Sequence, residues 1–394
     1  MRFRHPSGGL IHLAYCTNVH PAETLDGVLA QLSEHCAPVR RRLGRERLGI
    51  GLWLAADVVA VLTRDPRARA TLAETLRREG LEVVTLNGFP YRGFGSAQVK
   101  HRVYQPDWTT DARREHTLQL ACLLAGLLPD DVTEGTISTL PVAWRTPYDA
   151  AAEGAAVKQL HRLSRELDLL ASGNRRQIRV ALEPEPGCVI ETTDQAARLL
   201  TGPTAPPTDR IGVCLDTCHL ATAFEDPDEA VDRLARQEIP IYKAQLSAAL
   251  HAEHPERPEV QAALAEFVEE RFLHQTRERA QDGTVTARDD LDEAIKGDRP
   301  LRRSGPWRVH HHIPLHATPP APLSTTLPVL RRTLARLVGG RRPLTRHLEV
   351  ETYTWQVLPP ELRPTDAHQL ADGIAAELAL ARDLLTDLGL REVA

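Results

Sequence analysis

Four short apolar runs in this chain end in an oxygen-bearing side chain. IRVALE ends in Glu183, IGVCLD in Asp216, IYKAQ in Gln245 and HLEVE in Glu351. Three carboxylates and an amide oxygen make a hard donor set suited to Mg²⁺ or Mn²⁺, and an added histidine would move the preference toward Zn²⁺, Mn²⁺ or Co²⁺. Such a histidine is close at hand. His219 follows Asp216 by three residues, and a helix starting there would turn the imidazole back toward the carboxylate. Each residue also has a plainer reading. An aspartate at a strand end is often only the N-cap of the next helix, Glu183 precedes a proline, and a strand-end glutamine is usually a hydrogen-bonding residue. Four such ends in one chain point to a site.

Those four ends converge only if the runs are parallel strands of one sheet. Marking β-branched and apolar runs gives eight candidates: GGLIHLAYC, LGIGLWL, LEVVTLN, GTISTLP, IRVALE, IGVCLD, IYKAQLS and HLEVE. Helical periodicity lies between them. Leu25, Val28, Leu29 and Leu32 follow the first strand, and Val157, Leu160, Leu163, Leu167 and Leu170 follow the fourth. Asp65 and Pro66 make an N-cap and first-turn pair, and Gly80 is placed to end that helix. Parallel neighbours need a crossover, usually a helix, so the pattern predicts an α/β fold with eight units closed into a (β/α)8 barrel. No Gly-rich phosphate loop follows the first strand, which argues against a dinucleotide-binding sheet. All strand carboxyl ends of a barrel share one rim, so the four polar ends would meet there.

A ninth run, WRVHHHIPLH at 307–316, breaks the count and is read as part of an insertion after the seventh strand. The charged stretch 248–306 before it is expected to be inserted or mobile, within one domain spanning 1–394. Along a regular seventh strand Lys243 shares the inward face with Gln245 and needs a partner there, from Glu183 or from an acidic substrate. His310 and His312 share one face of the extra strand, with His311 opposite. His312 is the better candidate for a substrate or metal contact. Glu185, Glu191, Asn87, His219 and Lys243 complete the polar candidates for substrate. Phe89, Tyr91 and Trp355 are the candidate apolar walls, in a chain only 4% aromatic.

Bulk properties narrow the partners. The net charge of −5 gives no general attraction to nucleic acid. No segment approaches the ~20 apolar residues of a membrane span, and the N-terminus lacks a signal-peptide core. Six cysteines in 394 residues make no disulfide framework, which fits a reducing cytoplasm, and Cys214 and Cys218 read as packing residues. The expected partner is a small-molecule metabolite, and a homo-oligomer stays open.

ALEPEPG, GVCLDTCH, KAQLSAAL and LEVETYTW resemble the xylose-isomerase-like barrel superfamily, which includes sugar isomerases, ketose 3-epimerases and endonuclease-IV-type repair enzymes. TLNGFPY, YQPDWTT and LEVETYTW further resemble the EboE-type metabolite-traffic proteins. The resemblance implies one divalent ion (Mn, Zn, Mg or Co) held by Glu183, Asp216, Gln245 and Glu351. It implies Glu183 and Glu351 as base and acid across the substrate, and His219 as a substrate contact. The departure is Gln245, where the epimerases carry a metal-binding histidine. Three function classes follow: a metal-dependent isomerase or epimerase using an enediolate, a metabolite carrier without turnover, and a phosphodiesterase. The last needs further histidines from earlier strand ends, where this chain has Asn87 and TLP.

Overall fold

In the computed structural model, which describes residues 1–393, eight parallel strands close on themselves. They are β1 (Leu10–Cys16), β2 (Leu48–Trp53), β3 (Leu81–Asn87), β4 (Glu134–Thr139), β5 (Gln177–Leu182), β6 (Ile211–Asp216), β7 (Ile241–Leu246) and β8 (His347–Val350). Each pairs with the next, and β8 pairs back onto β1 with His347 opposite His12, which closes a (β/α)8 barrel. The eight runs expected from the sequence are these eight strands. Their apolar residues are buried almost throughout, as strands covered on both faces require.

The helices start and stop where local chemistry directs. Asp65 accepts from the Arg67 amide at 2.8 Å and opens the helix Pro66–Arg78. Gly80 follows at φ +65°, a conformation open to glycine, and its position leaves no room for a Cβ beside the Glu46 carbonyl. The long helices Asp111–Leu127, Ala150–Asn174 and Ala367–Asp387 pack their apolar stripes on the barrel.

Between β7 and β8 the chain builds a five-stranded antiparallel sheet. Its order is Val285–Arg288, Thr276–Arg279, Trp307–Val309, Leu250–Ala252 and Ser324–Thr325. The expected ninth strand is real but short. It stops at Val309, before the three histidines, because the following segment bonds elsewhere: Ile313 donates to the Ala248 carbonyl at 2.8 Å. Trp307 and Val309 are fully buried, so this sheet is packed onto the rest of the chain. Among the described residues no helix is long and apolar enough to cross a membrane.

Candidate metal centre

Glu183 and Glu351 lie one residue past the ends of β5 and β8, and each is still held by a ladder bond. The Glu183 amide donates to Thr139 at 3.0 Å and the Glu351 amide to Leu246 at 3.2 Å. Asp216 closes β6, with Gln245 beside it in register on β7. One oxygen each from Glu183, Asp216 and Glu351 lies within 4.8 Å of the others, and all three residues are buried. The aspartate does two jobs at once. Its Oδ1 caps the helix Thr217–Thr222, accepting from the amides of Cys218 (2.7 Å) and His219 (2.8 Å) and from the Ser247 hydroxyl (2.7 Å). Its Oδ2 has no partner. Glu183 Oε2 and both amide atoms of Gln245 are likewise buried and unpaired. Glu351 Oε1 is positioned by two amides, Asn18 Nδ2 and Asn87 Nδ2, each at 2.8 Å.

Three clustered carboxylates with no cation among them repel, and burial disfavours their charged forms. Burial, then Glu351 and Asp216, hold the Glu183 carboxyl well above the usual carboxylate range. Burial, then Asp216 and Glu349, push Glu351 to about 8. A divalent cation removes this conflict and satisfies the orphaned oxygens in one step. The donor set therefore fits a hard or borderline divalent ion.

Comparison with known proteins agrees with the architecture. A family model described as the xylose isomerase-like TIM barrel matches residues 49–267. The chain belongs to that family. No curated protein matches it. Among solved structures, a putative sugar phosphate isomerase/epimerase from Anabaena variabilis is 12% identical, with 96% of this chain and 99% of that one covered and a TM-score of 0.51. D-allulose 3-epimerase from a Methylomonas species, in complex with D-allulose, is 14% identical over 94% and 97% of the two chains, with a TM-score of 0.46. At these identities the likeness concerns the fold.

In this xylose isomerase-like barrel the rim opens into a pocket of about 520 Å³, its mouth included. Glu183, Glu185, His219, Asn87, Phe89 and Glu351, all expected at the site, line it. Glu185 accepts from the Tyr104 hydroxyl at 2.7 Å. Burial raises its carboxyl to about 7, against the opposing pull of His219 and Tyr104. Phe94, Phe272 and Tyr353 pack ring to ring and form an apolar wall. His312 stands behind the lining, with Nδ1 2.6 Å from the Glu351 carbonyl.

Four expected substrate contacts are placed elsewhere. Lys243 lies inside the barrel, fully buried and paired with Glu349 at 2.9 Å, so its partner is neither Glu183 nor a substrate. Glu191 is taken by Arg277 at 2.7 Å and by the Gly187 amide at 3.0 Å. Tyr91 turns away to stack edge-on against His116 and beneath Arg113. Trp355 packs over Gly373, where a Cβ would fall 2.5 Å from the indole. Sequence reasoning also passed over residues that matter. Asn18 follows β1 by two positions, and its place at a strand end was a usable signal. Glu349 shares the inward face of its strand with Glu351, but it and Gln275 and Tyr104 reach their partners only through tertiary packing.

Proposed function

We propose that this chain is a divalent-metal-dependent isomerase or epimerase acting on a small polyhydroxylated carbonyl metabolite. The observation that carries the reading is the pair Glu183 and Glu351. Both face one pocket and converge with Asp216 on one point. Two carboxyl groups so placed on either side of one pocket are positioned for proton transfer, one as carboxylate and one as acid. The isomerase and epimerase named among proteins of similar fold supports the same class.

Glu183, Asp216, Glu351 and the amide oxygen of Gln245 would hold the ion. When bound, it supplies positive charge to stabilise the negative charge that builds on substrate oxygen. Glu183 removes the proton from the carbon next to the carbonyl, leaving the electron pair as an enediolate. Glu351 then returns a proton to carbon or oxygen, and the product is an isomer of the substrate. Asn18 and Asn87 orient Glu351 for this step. Glu185, held by Tyr104, is placed for a substrate hydroxyl. The aromatic wall excludes water from the reacting face.

A second reading is a metabolite carrier of the EboE type that binds without turnover. Gln245 favours it, since an amide oxygen is a weaker ligand than a histidine or carboxylate. Incubation of the metal-loaded protein with a panel of ketoses and ketose phosphates in D₂O separates the two. Solvent deuterium should enter the carbon next to the carbonyl, and Glu183→Gln should abolish the exchange while ligand binding persists. Binding of a ketose with no exchange by the unaltered protein would establish the carrier.

A further inference from the structure

The pocket has two unlike halves. Its floor is polar and buried, with Glu183, Glu185, Glu351, Asn18 and His219. Toward the mouth, where Lys100, Val103 and Tyr353 are half-exposed, the lining changes character. There the loop after β3 and the segment leading into the inserted strand Thr276–Arg279 contribute Phe94, Val99, Val103, Phe272 and Leu273. None of these five side chains can donate or accept a hydrogen bond. Six Phe, six Tyr and five Trp occur in 394 residues, yet five of them, Phe89, Phe94, Tyr104, Phe272 and Tyr353, line this one cavity. The two tyrosine hydroxyls serve the floor. Tyr104 donates to Glu185 at 2.7 Å, and Tyr353 Oη lies 3.5 Å from His310 Nε2.

This apolar half is held in place from both sides. The amides of Val99 and Lys100 donate to the Arg271 carbonyl at 2.7 and 3.0 Å, and Arg271 Nη2 returns a bond to the Phe94 carbonyl at 2.9 Å. Glu269 accepts from the Phe272 amide at 2.9 Å and faces His274 Nε2 at 2.8 Å. The Phe272 ring then sits 5.4 Å from that of Phe94 and 5.0 Å from that of Tyr353. The same half has no charge to offer an anion. Lys100 is the only lysine or arginine among the lining residues, and its ammonium is held by Asp290 at 2.6 Å. Phosphate is recognised by uncommitted cations or by helix N-termini, and the residues opposite are glutamates. A hydroxyl pressed against the five apolar side chains would lose its bonds to water and gain none. An apolar group there leaves water at no such cost.

We propose that the substrate is amphipathic: an uncharged polyhydroxylated carbonyl head seated over the carboxylates, with an aryl or alkyl group at the end remote from the carbonyl filling the apolar half. The choice of head rests on the isomerase reading, and the choice of tail rests on the wall. Phe272 and Leu273 belong to the stretch inserted between β7 and β8, so the tail subsite is built by the part of this chain that lies outside the barrel. The pocket volume of about 520 Å³, mouth included, is in the ~300–1,000 Å³ range of cavities that enclose drug-sized ligands. A plain ketose reaches the floor and leaves the apolar half unfilled. A ketose phosphate brings its charge to the side of the pocket that has no free cation. One methylene in a hydrophobic pocket is worth about 10–200-fold in discrimination, so a larger apolar group gains at least about 10-fold.

The test uses the full chain loaded with Mn²⁺ and three probes that share one head: D-fructose, fructose 6-phosphate and 6-O-benzyl-D-fructose. Titration calorimetry should show the benzyl ketose binding at least about 10-fold more tightly than fructose, with the phosphate weakest. Phe272→Ala should abolish the difference between the benzyl and plain ketoses. Circular dichroism confirms that this variant is folded, and Leu273→Ser serves if it is not. Equal affinity for fructose and its benzyl ether, tighter binding of the phosphate, or binding of none of the three overturns the amphipathic substrate. So does a benzyl advantage that survives in the folded variant. Deuterium exchange into the same probes is read separately. Tight binding of the benzyl ketose without exchange would refute turnover and leave the apolar subsite standing, whereas exchange with no benzyl advantage would keep the isomerase and remove the tail.

Discussion

At the scale of single residues, the site depends on side chains that hold other side chains. Glu351 Oε1 accepts from Asn18 and Asn87, both at 2.8 Å and both buried, so its orientation is over-determined before any ligand arrives. Asn87 was expected to touch substrate, and it does line the pocket, but its amide is spent on Glu351. Removing a group that orients a metal ligand typically costs 10–100-fold in affinity. Asn18→Ala should therefore weaken divalent-ion binding at the carboxylate site by about 10–100-fold. Competition against a chromophoric chelator reads the loss. Unchanged affinity at the carboxylate site would show that Asn87 alone sets Glu351.

At the scale of elements, the strand ends were legible and the loops were not. Inward-facing positions recur every second residue, so LEVE and KAQ announce side chains on one face without further information. Who meets whom across the barrel is a different matter. Lys243 and Glu349 are 106 residues apart, and only closure of the sheet makes them partners. The histidine run shows the same limit. Alternation separated His310 and His312 from His311, and the structure keeps that separation: His311 stacks on His274 while the other two meet His219. The partner of His310, Gln275, was not legible, because it sits just before a neighbouring strand of the inserted sheet. The closing helix gives a prediction of its own. Glu377 accepts from the Leu315 amide at 2.9 Å and the Thr352 hydroxyl at 2.6 Å, yet burial raises its carboxyl from 4.5 to about 7. A raised carboxyl favours the folded state below its unfolded value and loses that contribution as pH climbs through the folded one. The unaltered protein should thus lose up to about 3 kcal/mol between pH 4.5 and 8 through this group. Glu377→Gln keeps both acceptor contacts and should flatten that part of the profile. Urea unfolding at pH 5 and pH 8 measures the difference, and equal slopes for the two proteins would refute it.

At the scale of the whole molecule, the barrel is closed around a buried ion pair. Lys243 Nζ bonds Glu349 at 2.9 Å and Ser138 at 3.2 Å, and neither charged side chain has any exposure. Burial lowers the lysine's proton affinity, but Glu349 outweighs it and the ammonium is held above its ordinary range. Room for the pair comes from β2, where Gly51 has no side chain. A Cβ there would overlap the Glu349 carboxylate at 1.2 Å. Strands β2, β4, β7 and β8 thus meet through four residues at the barrel centre, one layer below the carboxylate site. Desolvating two charges is expensive, so such a pair is weak evidence for stability, whereas breaking it leaves a buried charge uncompensated. Lys243→Met should destabilise the protein by about 3–5 kcal/mol, and Lys243→Met/Glu349→Leu should recover most of that loss. Chemical denaturation of both variants decides the matter. If the double variant is no more stable than the single, the lysine acts through packing in the barrel and not through its charge. If the double variant also keeps its Co²⁺ binding, the ion pair belongs to barrel closure and the metal chemistry lies wholly in the layer above.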